Sequence, residues 1–225
     1  MKPETQDRPS DVPFVEVVYG AQSVGGGSFI STAESRWEMV VTKQRGKTVV
    51  TVRGPETIAR PALVPEDAEF VGIIFKPGVF MPHWPLAKLV DEEVNLPGMA
   101  HHSFCLQGMG WEIPTFENAD VFVARLVREE MLVYEPVVAA VLENRPLDLS
   151  PRTIQRRFLQ ATGLTRGTFA QIERAQQAVA LLEQGLSIAD AAFQVGYADQ
   201  PHFTRSLNRF FGQTPAQLIR QLERE

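Results

Sequence analysis

The sequence predicts an α+β protein in which a β-rich N-terminal half is followed by an all-helical C-terminal half. Short Val-, Ile- and Phe-rich runs between turn residues dominate the first half, as is typical of strands. After about residue 116, apolar residues recur at helical spacing between capping residues and glycines. A chain of 225 residues is long enough for one large domain or two ordinary ones.

Four runs in the first half have the composition of strands: "FVEVVYG" (14–20), "WEMVVTK" (37–43), "KTVVTVRG" (47–54) and "EFVGIIFKPG" (69–78). The second and third are joined by "QRGK", so we expect a hairpin with Gly46 in its turn. From 79 to 116 the pattern is interrupted repeatedly by prolines, and no regular element is predicted there.

Two helices are predicted next. The run "NADVFVARLVREE" has Asn118 as a candidate N-cap and Val121 and Leu126 as candidates for its apolar face. The run "EPVVAAVLENRP" begins with Pro136 in the first turn and stops before Pro146, because proline is accepted at a helix start but not in its interior.

The last third predicts four further helices, each bounded by its own cap residues. They are "SPRTIQRRFLQATG" with Ser150 as cap and Gly163 as end, "TFAQIERAQQAVALLEQG" ending at Gly185, "SIADAAFQVG" between Ser187 and Gly196, and "DQPHFTRSLNRFFG" between Asp199 and Gly212.

The first and last of these helices form a weak internal repeat. A shift of 49 residues places Ser150 on Asp199, both as caps, and superposes Arg156 on Arg205. The same shift superposes the terminal glycines, Gly163 and Gly212, and apolar positions of the two helices. Two matching capped helices on either side of a long helix indicate a duplicated unit.

The run 188–215, "IADAAFQVGYADQPHFTRSLNRFFGQTP", has the layout of a helix-turn-helix. Phe203, Leu207 and Phe210 recur at i, i+4 and i+7 as a buried stripe. That stripe leaves four polar residues off the core face: Gln200, His202, Arg205 and Arg209. In such a unit the second helix lies in the DNA major groove, where Arg pairs with guanine and Gln with adenine.

Three stretches, "SPRTIQRRF", "ATGLT" and the run 188–215, resemble the DNA-binding domain of the AraC/XylS family of bacterial transcription regulators. The resemblance covers about the last third of the chain, from 150 to 218. It implies two helix-turn-helix units whose recognition helices, 151–161 and 200–211, are joined by a connecting helix, 168–184. Two successive major grooves on one face of the DNA would then receive the two recognition helices.

The resemblance also implies which residues meet DNA. In the second unit they are Gln200, His202, Arg205 and Arg209, and in the first unit Arg152, Thr153 and Arg156. Arg157 lies nearer the core stripe and is interpreted as a contact to a backbone phosphate or as an intradomain contact. Tyr197 is interpreted equally as packing in the turn or as contacting the DNA backbone.

One departure from the family pattern affects the first unit. Between "VVAAVLEN" and Ser150 only "RPLDL" remains, too short for the additional helix that normally precedes the first recognition helix. Two interpretations stay open: the first unit is truncated, or it is built from helix 136–144.

Charge is divided unevenly along the chain, whose formal net charge is −5. Residues 151–225 contain nine Arg, no Lys and six acidic residues, a formal charge of +3, which leaves −8 for residues 1–150. The division suggests that only the C-terminal module meets a polyanion.

Several classes of protein are disfavoured. No apolar run is long enough to span a membrane, the polar start "MKPETQDRPSDVP" has no signal-peptide core, and a lone cysteine, Cys105, forms no internal disulfide. We therefore expect a cytoplasmic protein. The single cysteine also argues against an alkylation-repair protein, whose zinc-activated thiolate chemistry needs several.

A metal site and an enzyme are disfavoured as well. His83, His101, His102 and Cys105 invite a metal site, but adjacent histidines on a strand point to opposite faces. Trp37, Trp84 and Trp111 are more typical of core filling than of a ligand pocket. No catalytic constellation is present, so we expect neither an enzyme nor a cofactor; a metal at the histidines would revive the enzyme alternative.

These observations predict a sequence-specific transcription regulator with three parts. Residues 1–116 form a β-rich regulatory domain that senses a ligand or mediates dimerisation, 117–135 a linking helical region, and 136–222 the DNA-binding domain. The expected partner is double-stranded DNA; a small-molecule effector, RNA polymerase and a second copy of the chain are further candidates, and no membrane is expected. The alternative is a ligand-sensing or protein-interaction module whose DNA binding is degenerate.

Overall fold

The computed structural model describes residues 4–100 and 102–222, and in them strands precede helices as the sequence predicts. The strands are β1 (Glu4–Arg8), β2 (Val15–Gln22), β3 (Gly27–Ser31), β4 (Glu38–Gln44), β5 (Lys47–Arg53), β6 (Arg60–Val64), β7 (Ala68–Phe75), β8 (Val79–Phe80), β9 (Glu93–Leu96), β10 (Gly98–Met99), β11 (Ser103–Leu106), β12 (Met109–Glu112) and β13 (Val133–Tyr134). The α-helices are α1 (Ala119–Arg128), α2 (Pro136–Leu142), α3 (Pro151–Thr162), α4 (Arg166–Glu183), α5 (Ile188–Gln194), α6 (Gln200–Phe211) and α7 (Pro215–Leu222). None of the helices described here is long and apolar enough to cross a membrane.

An antiparallel sheet in the order β1-β2-β7-β4-β5-β9 forms the centre of the N-terminal region. The predicted hairpin is confirmed: Gln44 pairs with Lys47, and the two loop residues, Arg45 and Gly46, both have positive φ. That geometry is the tight turn whose twist matches the flanking strands. The smaller pairings are β3-β6, β8-β13 and β10-β11-β12. Strands β8 to β12 lie in 79–116, where no regular element was predicted because prolines interrupt the sequence pattern.

Helix α1 packs on the strands through a face that includes Leu126, as predicted, but not Val121. Its buried residues are Ala119, Phe122, Val123 and Leu126, whereas Val121 is 73% exposed. Positions 119, 122, 123 and 126 share one side of a helix, while 121 and 126 are five residues apart and diverge. The prediction for Val121 was therefore wrong.

The predicted cap of α1 also behaves differently. Asn118 stands at the N-cap, but its side chain accepts a hydrogen bond from the backbone N–H of Thr115 at 2.8 Å and makes none to the helix. The carboxylate of Glu135 caps α2 by accepting from the N–H of Val137. Helix α2 ends at Leu142, before Pro146, as expected.

The tryptophans mainly fill the core. Trp37 stacks on Phe75 with ring centroids 4.1 Å apart, and its indole N–H donates to the carbonyl of Val79 at 2.7 Å. Trp111 is buried with an edge contact to Phe122, and Trp84 is half-buried against the same core. The interpretation of core filling is borne out for these rings.

The C-terminal ends of α3 and α6 both pack against the N-terminal region. Each ends in a left-handed glycine, Gly163 with φ 73° and Gly212 with φ 68°. A Cβ added at Gly163 would lie 3.0 Å from the backbone of Leu86, and one at Gly212 would lie 3.0 Å from the side chain of Ile30. In both α3 and α6, therefore, the C-terminal end contacts the N-terminal region and the N-terminal end lies at the far end of the helix.

Replacing Gly212 by Ala is expected to destabilise the fold by about 1–2 kcal/mol, because the left-handed backbone and the contact with Ile30 both disfavour a Cβ. Urea unfolding would measure the loss. Gly185→Ala is the matched control: Gly185 has φ 88° but no atom within 4 Å of the added Cβ. A loss no larger at Gly212 than at Gly185 would show that the contact with Ile30 contributes nothing.

Candidate DNA-binding surface

Helices α5 and α6 form the second helix-turn-helix predicted from the sequence. Ser187 caps α5 by accepting from the N–H of Asp190, and Asp199 caps α6 by accepting from the N–H of His202 at 2.6 Å. Between them Gly196 takes a positive φ of 78°. These bonds satisfy backbone donors that a helix leaves free in its first turn, so they define where each helix begins.

The buried stripe of α6 leaves its predicted polar residues on the surface. Phe203, Leu207 and Phe210 are buried, as the sequence predicts. Gln200, His202, Arg205 and Arg209 are all exposed. Other polar residues of this helix were not singled out from the sequence, among them Thr204, which is half-exposed and lies four residues beyond Gln200. The same i, i+4 spacing would have identified it.

The turn residue Tyr197 is packed rather than displayed. It is 9% exposed, and its hydroxyl lies 2.8 Å from that of Ser206 on α6. Its ring makes an edge contact with His202 and lies beneath the guanidinium of Arg174, 5.8 Å from the ring centroid. Burial raises the pKa of the Tyr197 hydroxyl, with smaller opposing contributions from Ser206 and Arg174. Of the two interpretations of this residue, the structure supports packing.

Helix α3 reproduces α6 at a distance of 49 residues along the chain. Ser150 accepts from the N–H of Thr153 at 3.2 Å, as Asp199 does in α6, and both helices end in a left-handed glycine. The shift that superposes their first residues, Pro151 and Gln200, also superposes their last, Thr162 and Phe211. The internal repeat is therefore a structural one.

The residues of α3 that were predicted to contact DNA differ in whether their side chains are already engaged within the protein. Arg152 and Arg156 are exposed, and Arg156 takes the position that Arg205 has in α6. The hydroxyl of Thr153 lies 2.9 Å from that of Ser150 in the cap. Nε of Arg157 donates to the Glu135 carboxylate at 2.8 Å, which corresponds to the intradomain contact anticipated for this residue.

The packing of α2 supports the second of the two possibilities left open by the sequence, in which the first unit is built from this helix. Helix α2 packs against α3, and the Arg157–Glu135 ion pair joins the two. The turn between them spans 143–150, longer than the 195–199 turn of the second unit. Helix α4 connects the units; it begins at Arg166, earlier than predicted, because Thr165 caps it by accepting from the N–H of Thr168.

A docking contact joins the N-terminal region to α4. The Glu173 carboxylate accepts from the hydroxyl of Ser35 and pairs with the guanidinium of Arg36 at 3.1 Å. One turn along, the side-chain amide of Gln176 donates to the carbonyl of Ala33 at 3.2 Å and to Glu34 at 3.1 Å.

The same segment of the N-terminal region caps the end of α6. The backbone N–H of Ala33 donates to the carbonyl of Phe210 at 2.7 Å, and that of Ala59 to the carbonyl of Arg209 at 2.8 Å. Both carbonyls belong to the last turn, where the helix itself supplies no N–H donor to them. Helix α6 is thus held at its C-terminal end by two backbone hydrogen bonds from the N-terminal region.

Glu173→Ala is expected to loosen this docking contact, since Ser35 loses its acceptor and Arg36 keeps only Glu34. A loss of about 1 kcal/mol would speed amide hydrogen exchange at Ala33 about five-fold, through local opening. Glu183→Ala, at an exposed position near the end of the same helix, is the control and should leave that exchange unchanged. Equal exchange rates at Ala33 in both variants would contradict the role assigned to Glu173.

A cavity of about 250 Å³ lies beside the docking contact in the N-terminal region. Glu34 and Arg36 line it together with Tyr19, Glu38 and Glu56. The Tyr19 hydroxyl donates to Glu38 at 2.8 Å, and burial raises the pKa of both groups, most strongly that of Tyr19. Charged side chains therefore line part of the cavity, and two of them, Glu34 and Arg36, also contact residues of α4.

The histidines considered as metal ligands do not assemble in the described residues. His83 and His102 are exposed, Cys105 is half-buried, and His101 lies outside the described residues. In residues 4–100 and 102–222 there is no cluster of three or more His, Cys, Asp or Glu side chains that could hold a metal ion.

Two capped helix pairs joined by a long helix define a helix-turn-helix domain, and the comparisons with known proteins agree. A helix-turn-helix domain family (HTH_18) matches residues 145–221. The transcriptional regulator VirS of Mycobacterium tuberculosis is 44% identical over 72 residues, 32% of this chain and 21% of the relative. RipA of Corynebacterium diphtheriae, also a transcriptional regulator, is 31% identical over 94 residues, 41% of this chain and 28% of the relative.

The C-terminal segment is an AraC-type helix-turn-helix domain, so the AraC/XylS resemblance is confirmed for it. The chain spans between about a fifth and three tenths of the length of these curated relatives. Among solved structures, ToxT of Vibrio cholerae aligns over 97% of this chain and 98% of its own, with 10% identity and a TM-score of 0.42. That likeness is too weak to support a conclusion about function.

Proposed function

We propose that this chain is a sequence-specific DNA-binding transcription regulator of the bacterial cytoplasm that reads a promoter element through its C-terminal domain. One observation carries the proposal: α3 and α6 are capped alike and held at their C-terminal ends, and each exposes an arginine at the same position, Arg156 or Arg205. Recognition helices present their N-terminal side chains to base edges in this way.

The proposed contacts divide between the two units. In the second unit Gln200, His202 and Arg205 contact bases, and Arg209 contacts a phosphate. In the first unit Arg152, Thr153 and Arg156 are the corresponding residues. Because Arg157 is bonded to Glu135, it acts mainly by holding α2 against α3.

We propose the division predicted from the sequence: regulatory residues 1–116, linking residues 117–135 and DNA-binding residues 136–222. Ligand sensing by the first part is supported by the cavity, since an occupant would touch Glu34 and Arg36, which also hold α4. Dimerisation is supported by the exposed apolar side chains of Val24 and Leu63 beside the β3-β6 ribbon. RNA polymerase remains a proposed partner of the whole chain.

A second candidate function is a ligand-sensing or protein-interaction module with degenerate DNA binding. Two observations favour it: the turn 143–150 is long for a helix-turn-helix, and Arg157 is paired with Glu135. Both reduce the number of DNA contacts that the first unit can make.

Selection of bound duplexes from a random library tests both proposals. A regulator enriches a defined motif, and a motif spanning two successive major grooves shows that both units read bases. A motif confined to one groove assigns recognition to α6 alone. Recovery of no motif would contradict the regulator and favour the interaction module.

A further inference from the structure

A basic groove of about 210 Å³ lies between the connecting helix α4 and the recognition helix α6. Three arginines line it, Arg174 from α4 and Arg205 and Arg209 from α6, together with Gln171, His202 and Tyr197. Two of these arginines belong to the predicted DNA contacts, whereas Arg174 had not been singled out from the sequence.

The positive charge of the groove is uncompensated. In the part of the chain that the structure describes, none of the three arginines forms an ion pair with a carboxylate, although other arginines, such as Arg36 and Arg157, do. Glu173, next to Arg174 in the sequence, is already engaged by Ser35 and Arg36. Three guanidinium groups around one open groove favour an anion.

Arg174 is held in place for such a contact. Its guanidinium lies over the ring of Tyr197, 5.8 Å from the centroid, and the Tyr197 hydroxyl is anchored by Ser206. Arg174 is half-buried, so it loses less side-chain freedom on binding than a fully exposed arginine would. A planar guanidinium matches two oxygens of a phosphate.

We infer that this groove binds one phosphate of the DNA backbone and that Arg174 is the contact contributed by the connecting helix. The inference rests on the proposed function, since it requires α6 to lie in the major groove. A backbone phosphate fits better than a free anion because the groove is open along the exposed side of α6. Phosphate contacts fix the register of a recognition helix without reading sequence.

Arg174→Gln tests this role through the salt dependence of binding. Affinity of the full chain for a fixed duplex, measured by fluorescence anisotropy over a series of KCl concentrations, gives the slope of log K against log salt. Loss of one phosphate contact should make that slope shallower by about 0.9. The base preference from library selection should stay unchanged, because the residue touches no base.

Two variants serve as controls. Arg174→Lys keeps the charge and should keep the slope while losing the bidentate geometry. Arg220→Gln removes an arginine from α7, where its Nε donates to the carbonyl of Ala216, and should leave both slope and affinity unchanged. Thermal unfolding of Arg174→Gln confirms that the variant is folded. If it is not, Arg174→Lys tests the inference through affinity, which should fall although the slope is kept, and wild-type affinity overturns the inference.

The possible results separate the inference from the proposed function. A wild-type slope in folded Arg174→Gln overturns the inference alone. Tight binding of inorganic phosphate by the DNA-free wild type, lost in Arg174→Gln without a change of slope, also overturns it and identifies a free phosphorylated ligand. If the wild-type chain binds no duplex at any salt concentration, the proposed function fails and the inference fails with it.

Discussion

Replacing Arg205 by Ala is expected to weaken specific DNA binding by about 1–3 kcal/mol, roughly 5- to 150-fold. The residue is exposed on α6, free of ion pairs in the described part of the chain, and placed on the face opposite Phe203, Leu207 and Phe210. A guanidinium there can donate two hydrogen bonds to guanine, and a methyl group leaves those acceptors unpaired.

The measurement is an equilibrium titration with the selected duplex and with duplexes that carry each substitution at the position read by Arg205. Base preference at one position should relax in Arg205→Ala, because a base contact rather than a phosphate is lost. Arg156→Ala, the equivalent change in α3, reports on the first unit by the same criterion. Unchanged affinity and unchanged base preference in Arg205→Ala would remove this residue from the site.

Phe203→Ala is expected to destabilise the chain by about 3–5 kcal/mol, because Phe203 is fully buried at the centre of the α6 stripe. Its ring lies 4.9 Å from that of Tyr197, so the substitution also loosens the residue that supports Arg174. DNA binding should fall with it, since the recognition helix loses its main anchor.

Urea unfolding followed by circular dichroism would measure this loss. Phe193→Ala is the matched control, because Phe193 lies on the neighbouring helix α5 but is 85% exposed, and its loss should cost little. Similar losses in the two variants would contradict the assignment of Phe203 to the core.

Most of the helices could be predicted from the sequence, but α7 was not predicted, and neither were the caps Glu135 and Thr165. Ser150, Ser187 and Asp199 cap the helices that they were expected to cap, since a cap bond joins residues only two or three positions apart. Errors arose where local signals competed. Asn118 bonds back to Thr115, and α4 begins at Arg166 because Thr165 caps it by accepting from the N–H of Thr168.

The packing partners of each face were less predictable. Val121 was assigned to a buried face from its apolar character alone, although its angular position on α1 places it in solvent. Arg174 was overlooked because a lone arginine on a connecting helix is usually solvated. The signal available was its i, i+4 spacing from the buried residue Ala178, which places Arg174 at the edge of the packed face of α4.

The sequence by itself determined most of the helices, the 49-residue repeat and the side of α6 that faces outward, because these depend on hydrogen bonds and periodicities within a few residues. Only the tertiary structure decided that Arg157 is tied to Glu135, that Ala33 and Ala59 cap the end of α6, and that Arg174 meets Arg205 and Arg209. Those contacts join residues that are distant along the chain. Their existence depends on how whole elements pack, which no local pattern specifies.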